Sequence, residues 1–157
     1  VEELKPHIDA RLRTRPGREA TGLAGSSLGG LLTLHLGLRY PDVFSRLGVM
    51  SPSVWWDREV ILRTVRGLER KPSLRIWLDI GTAEGDRTVA GARKLRQALV
   101  EKGWRPGGDL HYLEADGAVH DEAAWGARAG DMLAALYPRK RGLLRRVLEA
   151  MGMTEAD

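Results

Sequence analysis

The sequence has 157 residues, 43% of them hydrophobic, and a formal net charge of +4, which is enough for one globular domain with a buried core. Cysteine is absent, which excludes disulfides, thiolate metal sites and a cysteine nucleophile, and the four scattered histidines lead us to expect no bound metal. The 25 basic residues lie among 21 acidic ones without interleaved aromatic side chains, so we expect no nucleic-acid binding.

Hydrophobic periodicity predicts four strands that alternate with helices along the chain. We expect strands over 20–24, 44–50, 74–80 and 110–114, and helices over 28–39, 57–68, 88–102 and 122–136. The first strand consists of small residues and is expected to be buried. Strands that alternate with helices of about 10–15 residues indicate right-handed crossovers and a mostly parallel sheet flanked by helices. The predicted fold class is therefore α/β.

A nucleophile-elbow pattern, G-x-S-x-G, joins the first predicted strand to the first predicted helix. It runs from Gly25 to Gly29 and is centred on Ser27. Because the serine of such an elbow sits on a sharp turn, we expect a side chain at Gly25 or Gly29 to collide with neighbouring backbone. The pattern makes Ser27 a candidate nucleophile, with the N-terminus of the helix beneath it to stabilise negative charge.

The loops after the other strands supply partners for a serine nucleophile, which needs a histidine to accept its proton and an acid to orient that histidine. Reactive groups of a parallel sheet collect beyond the carboxyl ends of its strands. His120 follows the fourth strand and is the candidate base. Glu84 and Asp86 share the loop after the third strand, and their spacing does not choose between them as the acid. Asp79 is not favoured, because it lies in the predicted strand itself.

Aromatic residues accompany these loops. Trp55 and Trp56 follow the second strand and are expected to form a wall of a substrate pocket, with core packing as the alternative. Trp125 lies one helical turn after His120, where we expect it to be buried and to fix the histidine loop. Trp77 and Trp104 are assigned no functional role.

The chain ends in a basic segment that we treat as separate from the domain over 1–137. Residues 138–157 carry an apolar stripe at helical spacing, formed by Leu144, Val147, Leu148 and Met151, beside several arginines. A solvated amphipathic helix is the preferred interpretation, and binding to a partner or an anionic surface is the alternative.

The sequence also bears on location. No apolar stretch approaches the roughly 18 residues that a membrane span requires, and the first residues do not resemble a signal peptide. We therefore expect a cytoplasmic protein without a membrane span. Because the sequence begins at Val1 rather than at methionine, a lost signal peptide stays open.

Over most of its length the chain resembles the esterases of the α/β-hydrolase superfamily, which include enterochelin-esterase-like, feruloyl-esterase-like and S-formylglutathione-hydrolase-like members. The similarity is carried by segments 3–9, 24–30, 51–56, 79–85 and 120–125. It implies an α/β-hydrolase fold, Ser27 as nucleophile and His120 as base, and it favours Glu84 over Asp86 as the acid. It also implies an oxyanion hole formed by the backbone N–H of Leu28 and an N–H from a loop after an earlier strand.

The sequence departs from this family in one respect. The family normally has several more strands before the segment that begins at Glu3, including the strand whose loop gives the second oxyanion donor. The chain is therefore expected to correspond to the C-terminal portion of the fold. A sheet that lacks those strands exposes an unpaired edge, which would favour a homo-oligomer.

Together these patterns predict a serine hydrolase that cleaves a small-molecule carboxylic ester through an acyl-enzyme, with no cofactor. Two alternatives stay open from the sequence. An acyltransferase would use the same triad and differ only in the alcohol that accepts the acyl group. A catalytically silent fragment or interaction module would keep the fold without the reaction.

Overall fold

The computed structural model describes residues 1–138, and within them four strands form one parallel sheet in the order β1-β2-β3-β4. The strands are β1 (Gly22–Ser26), β2 (Arg46–Met50), β3 (Arg75–Gly81) and β4 (Leu110–Ala115). The helices are α1 (Leu4–Arg11), α2 (Leu28–Arg39), α3 (Trp56–Arg66), α4 (Asp86–Glu101) and α5 (Glu122–Leu136). The predicted α/β fold class is thus confirmed. The stripe predicted in the basic tail lies outside the described residues.

Helices cover both faces of the sheet, because side chains alternate along each strand. Leu47 and Val49 of β2 face a large core to which α2, α3 and α4 contribute. Met50 of β2 and Trp77 of β3 face the opposite side, where they pack against Met132 of α5. The two faces are therefore covered by different helices, and α5 contacts β2 and β3 on the second face.

The predicted first strand was wrong in its bounds and in its burial. β1 runs over Gly22–Ser26 rather than 20–24, and Gly22 and Ala24 are exposed. Among the described residues β1 pairs only with β2. It is therefore an edge strand, with no neighbouring strand on its other side in the part of the chain that the structure describes. A Cβ at Gly25 would meet the main chain of Gly29, and a Cβ at Gly22 would meet the Tyr137 hydroxyl, so close approach rather than burial accounts for these two glycines.

Two further elements differ from the sequence prediction. Helix α1 was not predicted; it buries none of its residues, and its apolar side chains Leu4 and Ile8 are exposed. The helix predicted over 57–68 begins differently, since Asp57, Arg58 and Glu59 have left-handed backbone angles with φ of 43°, 51° and 61°. The guanidinium of Arg63 donates hydrogen bonds to the carbonyls of Asp57 and Arg58, and so holds this turn.

Candidate active site

The turn from β1 into α2 places Ser27 in a strained conformation. Its φ is 56° and its ψ is −121°, a region that non-glycine residues rarely occupy and that persists only where the surroundings enforce it. The Ser27 N–H donates to the carbonyl of Met50 at 3.0 Å, which ties the turn to the end of β2. Leu28 is the first residue of α2, so its N–H is one of those that a helix cannot pair internally.

One of the two close contacts expected in the elbow falls on a different glycine. A Cβ at Gly25 would lie 2.7 Å from the carbonyl carbon of Gly29, as predicted. A Cβ at Gly29 would meet nothing within 4 Å, so the expected collision there was wrong. The second crowded position is Gly30, whose Cβ would lie 2.7 Å from the Met50 oxygen. The main chain of Gly29 lies against Gly25, whereas a side chain added at Gly29 would extend into open space.

Three of the candidate side chains form one hydrogen-bonded chain. The Nε2 atom of His120 lies 2.9 Å from the Ser27 Oγ, and its Nδ1 lies 2.6 Å from Oε2 of Glu84. The Glu84 side chain is fully buried, whereas 40% of the His120 side chain is exposed. Asp86, the alternative acid, is exposed at the start of α4. The geometry therefore pairs His120 with Glu84.

The loops that carry Glu84 and His120 are joined through their main chains. The Ala83 N–H donates to the Ala118 carbonyl at 3.0 Å, and the Gly117 N–H donates to Oγ1 of Thr82 at 2.8 Å. Beyond His120, the Asp121 carboxylate caps α5 by accepting from the Ala124 N–H at 2.8 Å. These contacts tie the loop that carries His120 to the loop that carries Glu84 and to the start of α5.

The segment after β2 places one side chain beside Ser27 and exposes two tryptophans. Ser53 is buried, with its Oγ 3.4 Å from the Ser27 Oγ, and its N–H donates to the Ser27 carbonyl at 3.1 Å. Trp55 and Trp56, two and three residues further on, are each 49% exposed, with ring centroids 6.0 Å apart. Core packing is therefore wrong for both tryptophans, and their contact with a substrate stays a prediction.

The hydrogen bonds around the second carboxylate oxygen of Glu84 were not predicted from the sequence. Oε1 of Glu84 accepts from the Ser51 hydroxyl at 2.6 Å and from the Gly81 N–H at 2.7 Å. The Trp125 indole donates to the same Ser51 hydroxyl at 3.0 Å and meets the His120 ring edge-on, with centroids 4.9 Å apart. Trp125 thus packs against the histidine, as expected, but it is only partly buried. Arg128, one turn later on α5, is also buried there. The sequence carried one signal for it, an arginine at a helical position whose spacing places it toward the core.

The arrangement is suited to one kind of chemistry. An imidazole nitrogen at hydrogen-bond distance from a hydroxyl can take its proton, and a carboxylate on the other nitrogen fixes the tautomer and stabilises the imidazolium. Within residues 1–138 no group of three or more His, Asp or Glu side chains is placed to hold a metal ion. No helix in the same range is long and apolar enough to cross a membrane.

Comparison with known proteins bears on this geometry. The chain is 28% identical over 152 residues to the uncharacterized protein YbbA of Bacillus subtilis, covering 92% of this chain and 60% of YbbA. It is 31% identical over 133 residues to the iron(III) enterobactin esterase of Escherichia coli O6:H1, covering 79% of this chain and 31% of that protein. The chain therefore spans less than two thirds of the length of each of these relatives.

A solved structure and a family model agree with the fold. The enterobactin esterase FES from Shigella flexneri superposes with a TM-score of 0.73 at 26% identity, over 87% of this chain and 37% of that one. Its similarity confirms the α/β-hydrolase architecture. The model of the esterase family, described as "Putative esterase", matches residues 1–136. The chain therefore belongs to this esterase family, as its motifs predicted.

Proposed function

We propose that the chain carries the nucleophile, base and acid of a serine esterase that hydrolyses carboxylic esters through an acyl-enzyme. The hydrogen-bonded sequence Ser27, His120, Glu84 is the observation that supports this proposal most directly. In it, the Ser27 Oγ bonds to the carbonyl carbon of the ester while its proton passes to Nε2 of His120. The esterase relatives and the family model agree with this reaction class.

The remaining steps follow from the same three side chains. The tetrahedral intermediate collapses by breaking the bond to the alcohol oxygen, which receives the proton from His120. Water then attacks the acyl carbon and gives its proton to His120, and the acid leaves as Ser27 regains its hydrogen. Glu84 stays ionised throughout and stabilises the imidazolium that forms in each half of the cycle.

We propose that negative charge on the substrate oxygen is stabilised at the N-terminus of α2. The Leu28 N–H is unpaired within the helix and adjoins the nucleophile, and the helix dipole adds to its effect. Removing one such donor typically costs about 10²–10³ in turnover.

We propose a small-molecule ester with an apolar or aromatic part as the substrate. Trp55 and Trp56 are exposed after β2 and follow Ser53, whose hydroxyl is close to that of Ser27. Exposed aromatic rings provide broad apolar contact with little loss of rotamer freedom. The names of relatives, enterobactin esterase and feruloyl esterase, are compatible with such a ligand.

Pre-steady-state kinetics with a chromogenic short-chain ester test the proposal. The chain should release one burst of alcohol per active site, and Ser27→Ala should abolish the burst while circular dichroism stays unchanged. Ser26→Ala, which removes the neighbouring hydroxyl of the elbow, is the matched control and should keep the burst. A burst that survives Ser27→Ala, or a folded wild-type chain without one, would contradict the proposal.

A further inference from the structure

Glu84 belongs to a buried charged cluster, and the proposed reaction uses none of the cluster's other members. It consists of Ser51, Asp79, Glu84 and Arg128. The indole N–H of Trp77 also donates to Asp79, at 2.6 Å. The side chains of Asp79 and Glu84 are fully buried, and only 7% of the Arg128 side chain is exposed. The cluster therefore holds two carboxylates and a single guanidinium away from water.

Ser51 links the two carboxylates: its hydroxyl donates to Glu84, and its backbone N–H donates to Oδ1 of Asp79 at 3.2 Å. The Trp125 indole and Nη2 of Arg128 approach the hydroxyl oxygen at 3.0 and 3.2 Å, and Oε1 of Glu84 lies 2.6 Å away. Indole and guanidinium groups only donate hydrogen bonds, and an ionised carboxylate only accepts them. The single Ser51 hydrogen must therefore point at Glu84. Arg128 and Trp125 thus set the direction of the hydrogen bond that Glu84 receives.

The position of Arg128 suits it to balance both carboxylates. Its Nη2 is 3.0 Å from Oδ1 of Asp79 and 4.0 Å from Oε1 of Glu84. Its Nη1 donates to the Ala124 carbonyl at 2.9 Å, which fixes the guanidinium on α5. Removing one partner of a buried charge pair leaves the other uncompensated, so a carboxylate in such a site takes up a proton instead.

We propose that Arg128 is a positioning residue of the triad: acting through Ser51, it keeps the Glu84 carboxylate aimed at Nδ1 of His120. Arg128 is buried, and its hydrogen bonds go to Ala124, Ser51 and Asp79 rather than to the nucleophile or base. The kinetic consequences rest on the proposed esterase function. The effect on the bond between Glu84 and His120 does not.

Kinetics of Arg128→Met test the first consequence, since methionine keeps much of the apolar volume but removes the charge and the donors. We expect kcat to fall by about 10- to 100-fold with little change in KM, a loss like that produced by outer hydrogen-bond partners of metal-binding histidines. The matched control is Arg93→Met, because Arg93 also pairs with a carboxylate, Glu114, but at the exposed surface. It should leave both constants unchanged.

A conservative variant separates positioning from folding. Arg128→Lys retains the positive charge but not the fixed donors of the guanidinium, so its kcat should lie between those of the wild type and Arg128→Met. A kcat in Arg128→Met equal to that of the wild type would overturn the proposal.

A double variant distinguishes positioning from mere neutralisation of Asp79. Asp79→Asn combined with Arg128→Met removes both members of the ion pair and should fold even where the single variant does not. We expect its kcat to remain below that of the wild type, because Ser51 still lacks its guanidinium donor. Full recovery of kcat would mean that Arg128 only balances Asp79, and would overturn the proposal.

Proton NMR gives a readout that needs no substrate. A short hydrogen bond between a histidine Nδ1 proton and a carboxylate produces a strongly downfield resonance. It should be present in the wild type, retained in Arg93→Met, and lost or weakened in Arg128→Met and Ser51→Ala. A resonance unchanged in Arg128→Met, or missing from the wild type, would overturn the proposal. The result is informative even if the chain hydrolyses no ester, so failure of the proposed function stays distinguishable.

Discussion

Alanine at Gly25 should destabilise the elbow, whereas alanine at Gly29 should not. The G-x-S-x-G pattern treats the two glycines alike, but their surroundings differ. A Cβ at Gly25 would lie 2.7 Å from both the carbonyl carbon and the oxygen of Gly29, and a Cβ at Gly29 would meet nothing within 4 Å. The pair is therefore a matched test of whether main-chain packing maintains the strained turn at Ser27.

The size of the effect follows from the contact distances. Ordinary contacts begin near 3.4 Å, so the Gly29 main chain would have to retreat by roughly 0.7 Å to accept a Cβ 2.7 Å away. Such overpacking typically costs about 1–3 kcal/mol, and a domain of this size loses about 2–4 °C in Tm per kcal/mol. At Gly29, within α2, alanine is instead favoured over glycine by about 0.5–1 kcal/mol.

Thermal unfolding followed by circular dichroism measures the difference. Gly25→Ala should lower Tm by several degrees, and Gly29→Ala should leave it equal or slightly higher. Because the retreat of Gly29 also displaces the Leu28 N–H, Gly25→Ala should react more slowly with an organophosphonate that labels serine nucleophiles. Equal Tm values for the two variants would refute the argument that Gly25 is required by main-chain contact.

Three other predictions rest on single contacts. Gly81→Ala should lower kcat, because its Cβ would lie 2.2 Å from the Ala118 oxygen and would separate the acid loop from the histidine loop; an unchanged kcat would count against it. Trp55→Ala should raise KM for an apolar ester and, since the ring is half exposed, should leave the free energy of unfolding within about 0.5 kcal/mol. Leu133→Ala removes another half-exposed apolar side chain and is the control, which should change neither KM nor stability. Burial and the neighbouring Arg75 lower the pKa of His111. The unfolded chain then binds more protons, so Tm should fall as pH decreases below about 6.5, the ordinary histidine value, and this slope should flatten in His111→Gln; the same slope in both proteins would contradict it.

The sequence predicts the strand and helix order because the periodic segments are long and their apolar residues face one core. α2 has the bounds expected, and the α/β class follows from the alternation alone. The elbow places Ser27 between β1 and α2, and the loops after β3 and β4 carry Glu84 and His120, because parallel strands bring their carboxyl ends to one edge. The structure brings these three residues together.

What the sequence does not predict depends on tertiary surroundings. The left-handed turn at 57–59 lies under a helical pattern and is held by Arg63, a contact that no local propensity encodes. The exposure of β1 depends on its position at the sheet edge. The links from Arg128 to Ser51 and Asp79 join residues 77 and 49 positions apart, so sequence spacing cannot reveal them.

Labelling of the active nucleophile tests the central claim most directly. The folded chain would be treated with an organophosphonate, digested, and analysed by mass spectrometry to locate the modified residue, with Ser27→Ala and His120→Asn in parallel. The account predicts one adduct, on Ser27, that is absent from Ser27→Ala and forms far more slowly in His120→Asn. An adduct on another residue, or equal rates with and without His120, would contradict it.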